Sequence, residues 1–464
     1  MTDLTTEPPS SETAPQARLP RTVKDKKTSA RPVRRFLIVT HRWLSLVLGL
    51  ALLAITTSGA VLVYKPEIDR WLNSAAYAAS GKPATVTIAD ARRTVKTAHP
   101  KFEASSVWYE HGVYRVTDYE ESYTVDPGTG KILGHVGKEP TWIPWLDNLH
   151  ECFLSCEGEP GYLGFLDNKI PLTQHAYLGF DGEKVTIGGM ILGIFALLLL
   201  YLSLTGLWLW FPRRGKRAGK WKKSVSVRWR KGRFARDTDL HNVAGLIAIP
   251  LLLLWAVTGM SYEFHFVEKG WYAVTPGKQV ESGEAVSAEA PKGTPDITED
   301  AAIAAARKLH PDFKLVNVDL PAADDPTSAY TMYFAAGFDP WAESPYPGEV
   351  GVYVDRHTGK AVTYYGDPNQ SLAQTIYDDF NYPTHSGYFV NGWWKIIWFV
   401  IGLAPLLLAV TGVSTWLVRR KTRKARTKAT RAGTALPPVP DDVAEQLAED
   451  PESAPDLTGD ARTP

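Results

Sequence analysis

The sequence predicts a helical membrane bundle of four transmembrane spans carrying two external α+β domains, the whole built by internal duplication. Three observations predict it. Apolar residues are gathered into four runs, Trp43 to Tyr64, Ile187 to Phe211, Val243 to Phe264 and Trp394 to Val418, each near the ~20 residues a helix needs to cross a hydrocarbon core. Two polar segments long enough to fold separate the first run from the second and the third from the fourth. The two halves carry the same landmarks in the same register, the signature of an internal repeat. A slightly negative mean hydropathy would by itself suggest an ordinary soluble protein, but it averages over these runs.

Each element follows in chain order. Residues 1–33 are rich in Pro, Thr, Ser and charge and read as a disordered tail, with too little apolar surface to offset chain entropy. The first span is 34–64. It is long and lies well inside the chain with no small-residue cleavage site, so it reads as an uncleaved span and not a signal peptide. An external domain fills 65–186, the second span 187–211, a basic loop 212–240, the third span 241–264, a second external domain 265–393 and the fourth span 394–418. The remainder, 419–464, reads as a second disordered tail.

Positive charge sets the orientation, because short loops rich in Lys and Arg are retained on the cytoplasmic side. RPVRR before the first span, PRRGKRAGKWKKSVSVRWRKGRFARD after the second and VRRKTRKARTK after the fourth agree. Both termini and the middle loop are expected in the cytoplasm, the external domains outside a cell (inner or plasma) membrane. Such charge can also bind nucleic acid, but flanking spans give it a topological role, and no nucleic-acid partner is expected. The only two cysteines, Cys152 and Cys156, then lie outside. Four residues apart in an oxidising compartment, they can close a small disulfide loop; a zinc site there would need more ligands than His150 and Glu151 supply.

The repeat is seen in the register. From His41 to Ser58-Gly59 is seventeen residues, as it is from His241 to Thr258-Gly259. Thr205-Gly206 is followed by Trp210 and Arg213-Arg214 at the offsets that carry Thr411-Gly412 to Trp416 and Arg419-Arg420. Each external segment reads as a helix ending at His-Pro, His99 or His310, then alternating strands with a tight turn at DPGTGK or DRHTGK. Each copy runs in, out and in again, so the copies are parallel repeats related by an axis along the membrane normal.

A titratable side chain bordering a span is expensive, which makes it a candidate for function. One such histidine can simply snorkel to the interface. Here His41 and His241 recur at one register, and one turn further along each helix a small residue follows, Ser45 or Gly245, leaving room for a planar macrocycle. On the outer side His385 precedes the fourth span. Its counterpart is His150, whose aromatic, Asp-bearing approach resembles that of His385, or alternatively His175, which is nearer in spacing. Seventeen residues carry a helix roughly 25 Å, which sorts the histidines into two layers across the bilayer. Imidazole suits haem iron, zinc and copper, but single histidines from separate helices of an apolar bundle are a normal way to hold b-type haem, and zinc would want further ligands. Two bis-histidine haem b sites are therefore expected, with His41, His241, His150 and His385 as axial ligands of the iron and His265 as a spare. His99, His310, His111, His135 and His357 read as ordinary residues of the external domains.

The segments HRWLSLVLGLALLAITTSG, NLHECFL, LTGLWLWFPRRGK, LHNVAGLIAIPLLLLWAVTG, PTHSG and LAVTGVSTWLVRRK, with the turns YTVDPGTGK and YVDRHTGK, give the sequence its kinship over roughly residues 34 to 425. It resembles the PepSY-associated transmembrane helix family, which includes iron-regulated membrane proteins and ferric-siderophore reductases. The resemblance implies external domains of the PepSY type, haem b held between helices, and electron delivery from the cytoplasmic side or the quinol pool to a ferric chelate or siderophore outside. His41, His241, His150 and His385 match the His-bearing positions of the family. The stretch between His150 and the second span, with its cysteine pair, is longer than the usual pattern. The sequence carries no Walker loop, dinucleotide fingerprint or flavin domain, so the electrons must come from a quinol or a separate donor. The reading from a different class is a non-catalytic anchor whose external domains bind or regulate an envelope peptidase or other protein. A permease component is a third, disfavoured because Gly/Pro-interrupted spans are not found in both halves. The spans face a lipid bilayer, and a homodimer is compatible with them.

Overall fold

The computed structural model describes residues 32–211, 225–335, 350–366, 370–388 and 395–444, apart from 176, 181, 278, 281–285, 289, 292, 436 and 442. The expected disordered tail up to residue 31, residues 212–224 of the basic loop, residues 336–349 and the chain beyond 444 lie outside the described residues.

Among the described residues four helices are long and apolar enough to cross a membrane: Pro32–Leu62, Ile187–Trp210, Arg233–Glu263 and Lys395–Arg431. The first is α1; α2 (Lys65–Leu72) follows it around Pro66. The second span is α5 (Ile187–Trp210), started by the Thr186 side chain accepting from the Gly189 amide. The third, α6 (Arg233–Glu263), continues through Pro250, and a short helix, α7 (His265–Val274), turns away from its end. The fourth is two helices, α10 (Lys395–Gly402) and α11 (Ala404–Arg431), broken where Pro405 starts a new helix. In lipid the helices gain little from hydrophobicity alone, so close packing of small residues holds them together. Ala248, Ala256 and Leu252 of α6 are buried against Leu192, Phe195 and Leu199 of α5 and Leu52 and Ile55 of α1. Gly193 shows how tight this is: a methyl group there would overlap the Phe264 ring.

Outside the bundle, α3 (Ile88–Ala98) and α8 (Glu299–Leu309) lie on one face of an antiparallel sheet. Its strands are β1 (Ser106–Glu110), β2 (Val113–Thr117), β3 (Ser122–Val125), β4 (Ile132–Val136), β5 (Lys314–Asp319), β6 (Tyr330–Ala335), β7 (Val350–Val354) and β8 (Ala361–Tyr365). Alternation sends Val107, Val116, Val125, Val318, Met332 and Val352 to the helix face, where they meet Ala91, Val95, Ala302 and Ala306. The strand order is β4-β3-β2-β1-β5-β6-β7-β8. The two external domains expected from the sequence are thus one eight-stranded sheet over one core, joined where Ser106, Val107 and Trp108 pair with Asp319, Val318 and Asn317. The reason is physical. Each four-stranded half would leave β1 or β5 as an open edge, and pairing the two removes both edges and fuses the apolar faces. Arg92 to Glu299 at 2.6 Å and Arg93 to Asp300 at 2.7 Å tie the two overlying helices together.

The C-terminal boundary also differs. Disorder was expected from 419, but α11 runs to Arg431 and the chain after it turns back, burying Val443 against Phe234. Lys, Arg, Ala and Thr follow the span with no Gly or Pro before 433, and cations suit the C-terminal end of a helix, so helix propagates out of the bilayer span.

Two layers of paired histidines

Two short helices bring side chains from the sheet end back onto the bundle. α4 (Trp142–Glu151) leans on α1, and α9 (Asn381–Ser386) on α6. His150 near the end of α4 and His385 near the end of α9 meet there, ring centroids 6.1 Å apart and planes tilted by 48°. At the opposite, basic end, His41 on α1 and His241 on α6 line one cavity of about 890 Å3 together with Ser45, Gly245, Arg34 and Arg419. The small residues noted one turn after each histidine are therefore in the cavity wall. His175 is elsewhere: it is exposed, in a short 3-10 turn, beside its neighbour Gln174. His265 stacks on Phe180 and lies 3.7 Å from Glu268.

All four paired histidines are held in one way. His41 Nδ1 lies 2.9 Å from Thr205 Oγ1, His385 Nδ1 is 2.7 Å from Thr258 Oγ1, and His241 Nδ1 is 3.1 Å from Thr411 Oγ1 and 3.0 Å from the Leu408 carbonyl. His150 Nδ1 is 2.8 Å from the Ile55 carbonyl and 3.4 Å from Ser58 Oγ. A carbonyl can only accept, so His241 and His150 carry their proton on Nδ1. The other two follow from where each hydroxyl proton goes. Thr205 donates its single proton to the Tyr201 carbonyl at 2.7 Å and Thr258 donates to the Leu254 carbonyl at 2.8 Å, so each can only accept from imidazole. Every one of the four rings is thereby an Nδ1–H tautomer, with no hydrogen bond to Nε2 among the described residues, the arrangement found where a histidine ligates metal.

A glycine follows each hydroxyl. Gly206 and Gly412 lie against His41 and His241, where an added methyl would be 3.6 Å from Cε1. At Gly259 it would be 3.8 Å from His385 Cε1, but at Gly59 it would sit 2.8 Å from His150 Nε2 and closer still to the ring carbon. The hydroxyls of Thr205, Thr411 and Thr258 and the Ile55 carbonyl orient the rings, and the glycines leave space for them. Sequence reading used these Ser-Gly and Thr-Gly pairs to align the halves and gave them no role. The signal was present: four such dipeptides and four histidines, paired at the two ends of the bundle.

Burial pushes the His150 imidazole below its ordinary value, and burial followed by proximity to His150 takes His385 to about 3. Both rings are neutral near pH 7, which ligation requires. Two indole N–H groups fix the His385 segment: Trp255 Nε1 donates to the His385 carbonyl and Trp398 Nε1 to that of Thr384, both at 2.9 Å. Cys152 and Cys156 form a disulfide directly after His150.

The model of the PepSY-associated TM region matches residues 39–419, more than half of the chain. The chain belongs to that family. No curated protein matches it. Membership of the family and four apolar helices make the chain a membrane protein.

The residues suit haem. Two imidazoles that shared one metal through Nε2 at about 2 Å would have centroids about 6 Å apart, close to the 6.1 Å between His150 and His385. The inner cavity falls within the roughly 300–1,000 Å3 of cofactor sites. Among the described residues no group of three or more His, Cys, Asp or Glu is placed to hold a bare metal ion.

Proposed function

We propose that the PepSY-associated protein is a haem-b electron carrier spanning the cell membrane, with two haems held by His41 and His241 at the basic end and by His150 and His385 at the sheet end. The observation that carries this reading is the common hydrogen bond at Nδ1 of the four rings, with no bond to Nε2 among the described residues. The haems would supply one-electron chemistry. The chain's residues do the rest. Thr205, Thr411, Thr258 and the Ile55 carbonyl orient the imidazoles and raise their basicity as ligands. Arg34 and Arg419 line the inner cavity, where their positive charge would pair with the carboxylates of a porphyrin. The apolar core between the layers, around Leu52, Leu199 and Leu252, keeps water out.

The two halves are read as copies of one unit, with both termini and the basic loop cytoplasmic. Electrons enter at the basic end from a quinol or a cytoplasmic donor and leave at the sheet end to ferric iron or a ferric siderophore. Ferric iron in such a chelate is bound by hard oxygen donors, and one-electron reduction weakens that hold without breaking the ligand.

Purified from haem-replete cells, the protein should show a reduced-minus-oxidised spectrum of b type with two components. A colourless preparation would sink this reading and leave the alternative, an anchor whose sheet domain binds or regulates an envelope peptidase or other protein.

A further inference from the structure

The two outer histidines are held by different devices. α9 ends at Gly387, which takes the left-handed conformation at φ +76° that glycine tolerates, and indole donors fasten the segment. α4 ends otherwise. After His150 and Glu151, the cap residue Cys152 donates its amide to the Asn148 carbonyl, and Phe153 and Leu154 then both adopt left-handed backbone, at φ +49° and +64°. Two consecutive bulky residues in that region persist only where the surroundings over-determine them.

Two constraints do so. The Cys152–Cys156 disulfide closes a loop over those residues, with Cα atoms 5.6 Å apart. Asn148, 1% exposed, clasps the loop from inside: its carbonyl accepts from Cys152 and Leu154, its Oδ1 accepts from the Cys156 amide at 3.1 Å, and its Nδ2 donates to Pro160 at 3.2 Å. The turn drives the Phe153 ring toward Phe195 in the bundle, centroids 6.2 Å apart. Gly188, at the start of α5, admits the loop, since a methyl there would sit 2.8 Å from Ser155 Cβ. His150 is thus held between its Nδ1 bond to Ile55 on one side and this closed loop on the other.

We infer that Cys152, Cys156 and Asn148 are positioning residues for His150, and that opening the disulfide releases the end of α4 and with it the outer imidazole on this side alone. The inference rests on the reading of His150 and His385 as the outer haem ligands. Opening is a balanced reduction by a water-soluble trialkylphosphine. Phosphorus gives up an electron pair and takes the oxygen of one water to become the phosphine oxide, the S–S bond breaks on receiving that pair, and the two protons of the water complete the two thiols.

The test uses the full-length protein in detergent, in four states: untreated, treated with the phosphine and freed of it, reoxidised, and as the Cys152→Ser/Cys156→Ser variant. Two readouts are taken, the b-type spectrum and hydrogen exchange of the peptides carrying His150 and His385. Opening should weaken outer haem retention by about 10-fold or more, the scale of losing a supporting contact around a metal ligand, while the inner component stays. Exchange should rise around residues 142–156 and not around 381–386, and reoxidation should restore both. Asn148→Ala, with the disulfide intact, should give the same pattern more weakly. Unchanged exchange and an unchanged outer component would overturn the inference, and so would loss of both components together, which marks general unfolding. If every state is colourless the haem reading fails, and the exchange of the His150 peptide still decides whether the disulfide positions it.

Discussion

The inner and outer histidine pairs are alike in chemistry and unlike in construction. His41 and His241 stand on spanning helices, one on α1 and one on α6, and each reaches a hydroxyl on the next span. His150 and His385 come from short helices outside the spans and reach hydroxyls or carbonyls at the far ends of those same two helices. α1 and α6 therefore serve both layers, as ligand bearers at one end and as cradles at the other. Precision has a different source at each end. At the basic end a continuous helix sets the ring's depth, whereas at the sheet end a loop must be fixed by indoles or by a disulfide.

The largest expected effect tests whether the layers are separate. His41→Ala or His241→Ala should remove one spectral component entirely and leave the other, and His150→Ala or His385→Ala should do the converse. His175→Ala should leave both. Loss of the outer component from the His175 variant in place of the His150 variant would break the pairing described here.

Next comes a contrast between glycines. Gly59→Ala puts a methyl 2.8 Å from His150 Nε2, whereas Gly206→Ala and Gly412→Ala put one 3.6 Å from their rings, an ordinary contact. The first should abolish or strongly shift the outer component. The other two should leave the inner component within a few-fold of its original retention, read by haem content after a chelating wash.

A smaller effect is expected of the hydroxyls. Thr205→Val and Thr258→Val remove the acceptor of an imidazole Nδ1–H with little change of volume, and each should weaken haem retention at its own layer by about 10–100-fold. Ser58→Ala should do less. His150 keeps the Ile55 carbonyl at 2.8 Å, and the serine is the longer contact at 3.4 Å. A serine effect as large as the threonine ones would mean that the carbonyl is not the real partner.

How much of this could be read from the chain follows the same division. The inner pair was legible because a helix has a fixed rise, so equal spacing from His41 and His241 to the next landmarks fixes equal depth. The outer pair was legible only up to a choice, since between His150 and α5 the chain runs through a disulfide loop and a 3-10 turn that no periodicity describes. The fused sheet was hidden for another reason. Alternation in β1 and β5 marks each as a strand with one buried face but does not name the neighbour of an edge, and that pairing lies more than 200 residues apart in sequence. The extension of α11 was obscured by treating a run of cations as disorder, when the same residues are good helix formers already propagating from a span.

The smallest expected effect links the sheet to the outer pair. In the DRHTGK turn, burial raises the Asp355 carboxyl, but backbone amides of Thr358, Ala288 and His357 more than offset it and hold the group at about 2. The three bonds are 2.7, 2.7 and 2.9 Å. With the folded value below the unfolded one near 3.9, this contribution is fully present above pH ~4 and is lost as pH falls from there through about 2. Asp355→Asn should flatten that part of the acid unfolding curve, read by the tryptophan and tyrosine signal of the sheet. Tyr388, two residues beyond the end of α9, is buried against Val316 and Ala335 of the sheet. Acid that loosens the sheet should therefore disturb the outer histidine pair at a higher pH than the inner one, and the Asn variant should bring the two transitions closer together. Coincident transitions in the unaltered protein would show that the sheet lends the outer pair no support.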